Sequence, residues 1–183
     1  MYEDLIKIIA ILKNLGLSLK NPSEEWNYET RFFLQKITYI AKSLGMDFSY
    51  NFGLYLNGPY CSSLANDYYN HPNLVVSLKS DYSLNERELK IQKLLKKEIL
   101  SNPIIDKHKS EYLEALGTIL YLKNEYPDFM DDDIFRKVKE LKGYLKDRIL
   151  IIALNTAKKL NFRDDFLNEK IQEELELWDK AED

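Results

Sequence analysis

Residues 51–67 read NFGLYLNGPYCSSLAND: an aromatic stretch that runs into Gly-Pro-Tyr and then directly into small polar residues of the kind that open a helix. Upstream, Phe48, Tyr50, Phe52, Leu54 and Leu56 alternate with other residues, and that period of two predicts a strand over 48–56. Asn57-Gly58-Pro59 is expected to break it, because Gly58 is free to take positive φ and Pro59 has a fixed φ and no N–H. A short helix over 61–70 should follow, with Leu64, Ala65 and Tyr68 turned inward. A phosphate cradle needs several free backbone N–H groups and usually several glycines, so one Gly beside one Pro makes a poor phosphate loop. The expected role of the turn is a sharp corner that feeds a helix, with Tyr60 packed on the core.

Outward from this corner the chain is mostly helical in pattern. Leu5, Ile8, Ile9 and Leu12 predict a helix over 3–15 that stops at Gly16. A loop follows, carrying Pro22 and the capping candidates Ser23 and Asn27. Phe33, Ile37, Ile40, Ala41 and Leu44 then form the apolar stripe of a strong helix ended by Gly45. Beyond His71-Pro72-Asn73, LVVSLKSDY (74–82) reads as a second strand, and Ser83-x-x-Glu86 as a capping box that opens a helix to residue 100. Asn102-Pro103 marks a boundary, giving subdomains at 1–102 and 103–183. Helices are expected near 109–125, 131–142, 146–160 and 164–181, with Asp131, Asp132 and Asp133 placed to favour a helix N-terminus. The fold class that results is mostly α with a small β element. It comprises a winged-helix-like N-terminal subdomain followed by a C-terminal helical bundle packed against it.

Composition narrows the functional classes. With 45% hydrophobic and 31% charged residues, the 183-residue chain has the make-up of a soluble globular protein. Its single cysteine excludes an internal disulfide framework and a cysteine zinc site, and suits a reducing cytoplasm. No apolar run is long enough to span a membrane. The charge is uneven: residues 1–110 hold 14 Lys/Arg against 12 Asp/Glu, and residues 111–183 hold 12 against 18. Neither half has the broad basic excess of a sequence-independent nucleic-acid binder.

LQKITYIAKSLG (34–45), the aromatic strand, NGPY (57–60), Leu64 and Asp67 together resemble the SocA-like (Panacea-type) antitoxins and the related YwgA-like proteins. The matching positions are Leu34, Gln35, Lys36, Tyr39, Gly58, Pro59, Tyr60, Leu64 and Asp67. Cys61 stands where a serine is commoner, and LEALGTILYLKNEYPDF (113–129) with ELKGYL (140–145) is similar to the YwgA-like group, less specifically. The resemblance implies a mostly helical antitoxin or regulatory module without an enzyme assignment, whose partner is a toxin-like or regulatory protein.

The residues themselves favour a polypeptide partner. No Lys or Arg lies between Lys42 and Lys79, the window that contains the whole candidate recognition helix, and readers of DNA place such cations on bases and phosphates. Tyr55, Tyr60, Ser62, Ser63, Asn66 and Tyr69 are therefore the candidate partner-binding residues. The alternative is a winged-helix transcriptional regulator that contacts phosphate through Lys90, Lys93, Lys96 and Lys97, beside a small cluster of Lys107, His108 and Lys109. The acidic segment 168–183, in a stripe of Ile171, Leu175 and Trp178 that begins at Leu167 just before it, is expected to pack on the body, or else to form a dimer seam or a partner-docking helix. No catalytic constellation is expected. His71 and His108 are isolated, Cys61 has no histidine near it in sequence, and the Asp131–Asp133 run is explained by capping rather than a metal. No cofactor is implied.

Overall fold

The structure is a computed structural model that describes residues 2–15 and 28–161. Helices dominate it: α1 (Tyr2–Asn14), α2 (Tyr28–Ser43), α3 (Ser62–Asn70), α4 (Pro72–Ser77), α5 (Glu86–Leu94), α6 (Ile105–Glu125), α7 (Asp131–Leu141) and α8 (Asp147–Asn161). The β element is one antiparallel hairpin, β1 (Gly53–Tyr55) and β2 (Gly58–Tyr60), in the register Gly53↔Tyr60, Leu54↔Pro59 and Tyr55↔Gly58.

Helix α2 is the central element. Every residue from Phe32 to Ala41 is buried, so the helix is covered all round and its polar residues must find partners inside the protein. It ends as its sequence predicts: Gly45 takes φ 97°, Gly45 N–H donates to Lys42 O and Met46 N–H to Ala41 O, the bond pair of a Schellman motif. Helix α6 lies against α2, β2, α7 and α8. Helices on both sides of residue 102 share one hydrophobic core, which runs from Leu5, Ile9 and Leu12 through Ile37 and Ile40 to Leu116, Ala153 and Leu160.

Four local expectations are corrected. The predicted strand over 48–56 narrows to Gly53–Tyr55, because Phe48 and Tyr50 are buried in irregular chain rather than paired in a ladder. Gly58-Pro59-Tyr60 does not end the β structure but forms its second strand. Positive φ falls on Gly58 (85°) and on neither Leu56 nor Asn57, the pattern of a tight turn followed by a glycine bulge. The predicted strand at 74–82 is the short helix α4, opened by Pro72 at its first turn, where proline costs nothing, and followed by irregular chain. The wing expected there is therefore not formed. The capping box of α5 is Asn85 with Glu88, two residues later than expected; Asn85 Oδ1 accepts from Glu88 N–H and Glu88 Oε2 from Asn85 N–H.

The helix expected near 84–100 is α5 continued by a π-helical turn over Leu95–Leu100. The helix expected near 109–125 is found, preceded by one turn from Ile105 and a kink at His108 (φ −135°, ψ 36°). Those expected near 131–142 and 146–160 are α7 and α8. Asp131, Asp132 and Asp133 occupy the first turn of α7, and Asp131 is shared by Lys123 (2.8 Å) and Lys158 (2.6 Å), which ties α6, α7 and α8 together. Gly16, Pro22, Ser23, Asn27 and the helix expected at 164–181 lie outside the described residues.

Candidate functional site

The stretch from Met46 to Cys61 has too little regular structure to satisfy its own backbone, and it holds no cation. Side chains from elsewhere do both jobs. Lys42 Nζ donates to Phe48 O (2.9 Å) and to Tyr50 O. Lys36 Nζ donates to Pro59 O (2.7 Å). Lys142, from the α7–α8 connection, donates to Tyr55 O (2.9 Å) and to Leu56 O. Lys7 Nζ donates to Asp47 O (3.1 Å). An ammonium carries three donors and no acceptor, so one lysine can hold two carbonyls that a strand would otherwise have paired.

Gln35 completes the frame. Its Nε2 donates to Cys61 O and its Oε1 accepts from Cys61 N–H, each at 2.9 Å, so the buried amide replaces a strand neighbour at the point where β2 ends and α3 begins. Tyr50 Oη donates to Asp67 Oδ2 (2.7 Å), fixing α3 from its other side. Beneath the hairpin, a Cβ on Gly117 of α6 would stand 3.2 Å from Pro59 Cδ; glycine is what lets the two backbones approach this closely. The motif residues Gln35, Lys36, Gly58 and Pro59 thus meet at the hairpin, while Asp67 ties α3 to Tyr50.

The frame encloses a cleft of about 370 Å³. Helix α2 lines it with Tyr28, Arg31, Phe32, Gln35 and Lys36; the hairpin with Tyr55, Leu56, Asn57, Gly58 and Tyr60; α3 with Tyr68 and Tyr69. Exposed apolar side chains gather at its mouth: Tyr28 is 55% exposed, Tyr55 58%, Leu56 80% and Tyr69 54%. Tyr55 meets Tyr60 edge-on at 5.5 Å, and Arg31 stacks over the Tyr69 ring at 5.8 Å. Asn57 Nδ2 donates to Tyr28 Oη (2.7 Å), bridging hairpin and α2 across the opening.

Below the cleft lies a buried charge cluster. Lys142 pairs with Glu114 at 3.3 Å, and Tyr144 Oη donates to the same carboxylate. Lys36 and Lys142 are each only 2% exposed. Burial pushes the Lys36 ammonium down to about 8; Glu114 counteracts that shift and Lys142 adds to it. Burial, with the Glu114 carboxylate beside it, pushes the Tyr144 hydroxyl above its usual range.

Of the sequence candidates, Tyr55, Tyr60 and Tyr69 line the cleft. Ser62 and Asn66 are exposed on α3 and Ser63 is half-buried, outside the cleft lining. Lys90, Lys93, Lys96 and Lys97 are all exposed, far apart in role from the buried lysines, and Lys97 pairs with Glu98 at 3.2 Å. Lys107, His108 and Lys109 border a separate hollow of about 410 Å³ together with Glu29, Asp106 and Glu111. His108 Nδ1 lies 2.6 Å from Glu111 Oε2, and Lys109 sits over the Phe33 ring. Cys61 is buried at the N-cap of α3, its Sγ 3.0 Å from Ser63 Oγ and accepting from Leu64 N–H. His71 joins α3 to α4. Sequence reasoning missed Tyr28, Arg31, Gln35, Lys36 and Lys142 as parts of one site. The Gln-Lys pair between the apolar residues Leu34 and Ile37 of α2 was the available signal for two of them.

Comparison of the chain with models of known protein families, with curated proteins and with solved structures gives no match in any of the three. No described helix is long and apolar enough to cross a membrane.

Proposed function

We propose that this chain is a non-enzymatic protein-interaction module, regulatory or antitoxin-like, and that the tyrosine cleft is its binding face. One observation carries the reading: Tyr28, Tyr55, Leu56 and Tyr69, four of the large apolar side chains the fold leaves exposed, converge on a single opening held rigid by buried hydrogen bonds. Tyrosine is enriched at protein interfaces because it offers a large apolar face and a polar tip at low entropic cost. A toxin-like or regulatory partner is the reading that the Gln35-Lys36 and Gly58-Pro59-Tyr60 resemblance brings with it.

The test is site-specific photocrosslinking in the native cell. A photoreactive phenylalanine at Tyr55 or Tyr69 should yield one discrete polypeptide adduct, and the same probe at the exposed Tyr126, at the C-terminal end of α6 and outside the cleft lining, should not. Adducts of equal yield and mixed size at all three positions would sink the proposal. The second reading, DNA contact through α5, is favoured by the solvent exposure of Lys90, Lys93, Lys96 and Lys97. Against it, Lys36 and Lys142, cations the fold brings close to the hairpin, are buried and bonded to carbonyls, so they offer no open positive groove.

A further inference from the structure

We propose that the outer edge of β1 takes an extended, uncharged segment of the partner polypeptide as an added strand; this rests on the interaction-module reading and names the conformation and chemistry of what the module binds. The hydrogen-bond pattern of the hairpin leads there. Antiparallel strands alternate pairs that exchange two bonds with pairs that exchange none. Pro59 has no N–H, so Leu54↔Pro59 is a pair of the second kind, and the bonded pairs are Gly53↔Tyr60 and Tyr55↔Gly58. Leu54 N–H and C=O therefore point away from β2, just as Pro59 C=O points away from β1.

The two edges of the hairpin are treated differently. On the β2 side the outward groups are met: Lys36 Nζ donates to Pro59 O, and Gln35 exchanges two bonds with Cys61. Both α2 and α6 lie against that strand. On the β1 side, Leu54 N–H and C=O have no partner among the described residues. Folded proteins commonly guard such an edge with charged side chains, above all lysine, or with proline on the edge strand. Here residues 48–60 hold no charged side chain, and Pro59 stands on the other strand.

The occupant follows from what can answer both groups. A helix spends its backbone N–H and C=O internally, whereas an extended segment presents one of each along one edge at every second residue. Set antiparallel to β1, the residue opposite Leu54 accepts from Leu54 N–H and donates to Leu54 C=O. Its two neighbours then stand on the Tyr55 face of the hairpin. Gly53 lets the Tyr55 ring fold along the strand there: a Cβ on Gly53 would stand 3.1 Å from Tyr55 Cε2. The same ring lines the cleft, so edge and cleft form one continuous surface. Charge complementarity selects an uncharged segment, because an ion set against this neutral stretch would lose water and find no counter-charge. A single residue pair supplies two hydrogen bonds, which fix register and direction. Apolar side chains against Tyr55 and the exposed Leu56 supply the buried area.

The experiment follows the full chain by amide NMR with two probes: a capped Thr-Val-Thr-Val-Thr pentapeptide, and the same peptide N-methylated at its central residue. The unmethylated peptide should shift the Leu54 amide most, Gly53 and Tyr55 next, and slow the exchange of Leu54 N–H with solvent. Methylation removes the donor to Leu54 C=O and should weaken binding about tenfold or more. Leu54→Pro deletes the outward N–H at an edge position where proline is tolerated, and should abolish the shifts at Gly53 and Tyr55; Leu54→Val should keep them. Should Leu54→Pro not fold, the two peptides decide alone. Equal binding of both peptides, shifts centred away from β1, or no binding of either at millimolar concentration would each overturn the proposal. So would a Leu54 shift that grows with protein concentration in the absence of peptide, since the occupant is then a second copy. Photocrosslinking reads separately. A discrete adduct at Tyr55 or Tyr69 that Leu54→Pro leaves unchanged keeps the interaction module and removes the added strand. Peptide pairing at Leu54 without a cellular adduct keeps the edge site and removes the tyrosine cleft as the binding face.

Discussion

Lysine plays two opposite parts in this molecule. In α5 and its π-helical extension, Lys90, Lys93, Lys96 and Lys97 lie in solvent, where an ammonium is hydrated and contributes little to stability. Around the hairpin, Lys36, Lys42 and Lys142 have their ammoniums on the carbonyls of Phe48, Tyr50, Tyr55, Leu56 and Pro59. The contrast teaches that cation count along a chain says little about the electrostatics of a site. The segment without a single Lys or Arg is reached by Lys7, Lys36, Lys42 and Lys142 from outside it, and the cluster that looks basic in sequence is a solvated helix face.

That contrast sets an order of expected effects. The largest belongs to Lys142→Met. It strips two carbonyls of their donor and leaves Glu114 buried without its partner, so a loss of about 3–5 kcal/mol is expected in urea denaturation. Adding Glu114→Met should recover a large part of the loss, because the orphan charge is then gone; a double variant no more stable than the single one would mean that lost packing, not charge, is the cause. Gln35→Ala should cost about 1–3 kcal/mol, since it leaves the N–H of buried Cys61 without its acceptor, whereas the Cys61 C=O keeps its bond from Ala65 N–H. Gln35→Glu keeps the acceptor but not the donor, and should fall between the two in denaturation midpoint. The smallest effect is on the exposed side of the comparison. Replacing Lys90, Lys93, Lys96 and Lys97 with Gln, one at a time, should change stability by no more than about 0.5 kcal/mol each. The same variants decide the DNA reading: salt-dependent binding to duplex DNA that loses slope as these lysines are removed would revive it.

Much of the helical frame is legible in the chain. The stripe in 28–45 and the stop at Gly45 are local: apolar residues recur at helical spacing, and glycine alone tolerates the φ of 97° that closes a Schellman motif. The β element is legible as to place but not as to form. Alternation from Phe48 to Leu56 has the period of a strand, yet Phe48 and Tyr50 are buried through Lys42 and Asp67 rather than through a ladder. The stretch 74–82 misled for a related reason. Its apolar residues are too few to distinguish a short helix from a strand, and Pro72 at the first turn of α4 tipped the balance.

The site divides along the same line. Tyr55, Tyr60 and Tyr69 could be named from sequence because aromatic residues beside a turn are few enough to single out, and they do line the cleft. Arg31, Lys36 and Lys142 could not, since what defines them is proximity across 23 residues for Lys36 and Pro59, and 87 for Lys142 and Tyr55.

Local patterns in the chain thus specified most of the described helices, the stop at Gly45, and the place of the glycine–proline corner. Long-range packing specified which carbonyls the lysines reach, which charges are buried, and that the aromatic residues of three elements line one cleft. The physical reason is reach: periodicity and capping act within a few residues, whereas the desolvation that gives Lys36 its character exists only once α2, α6 and the hairpin have closed around it.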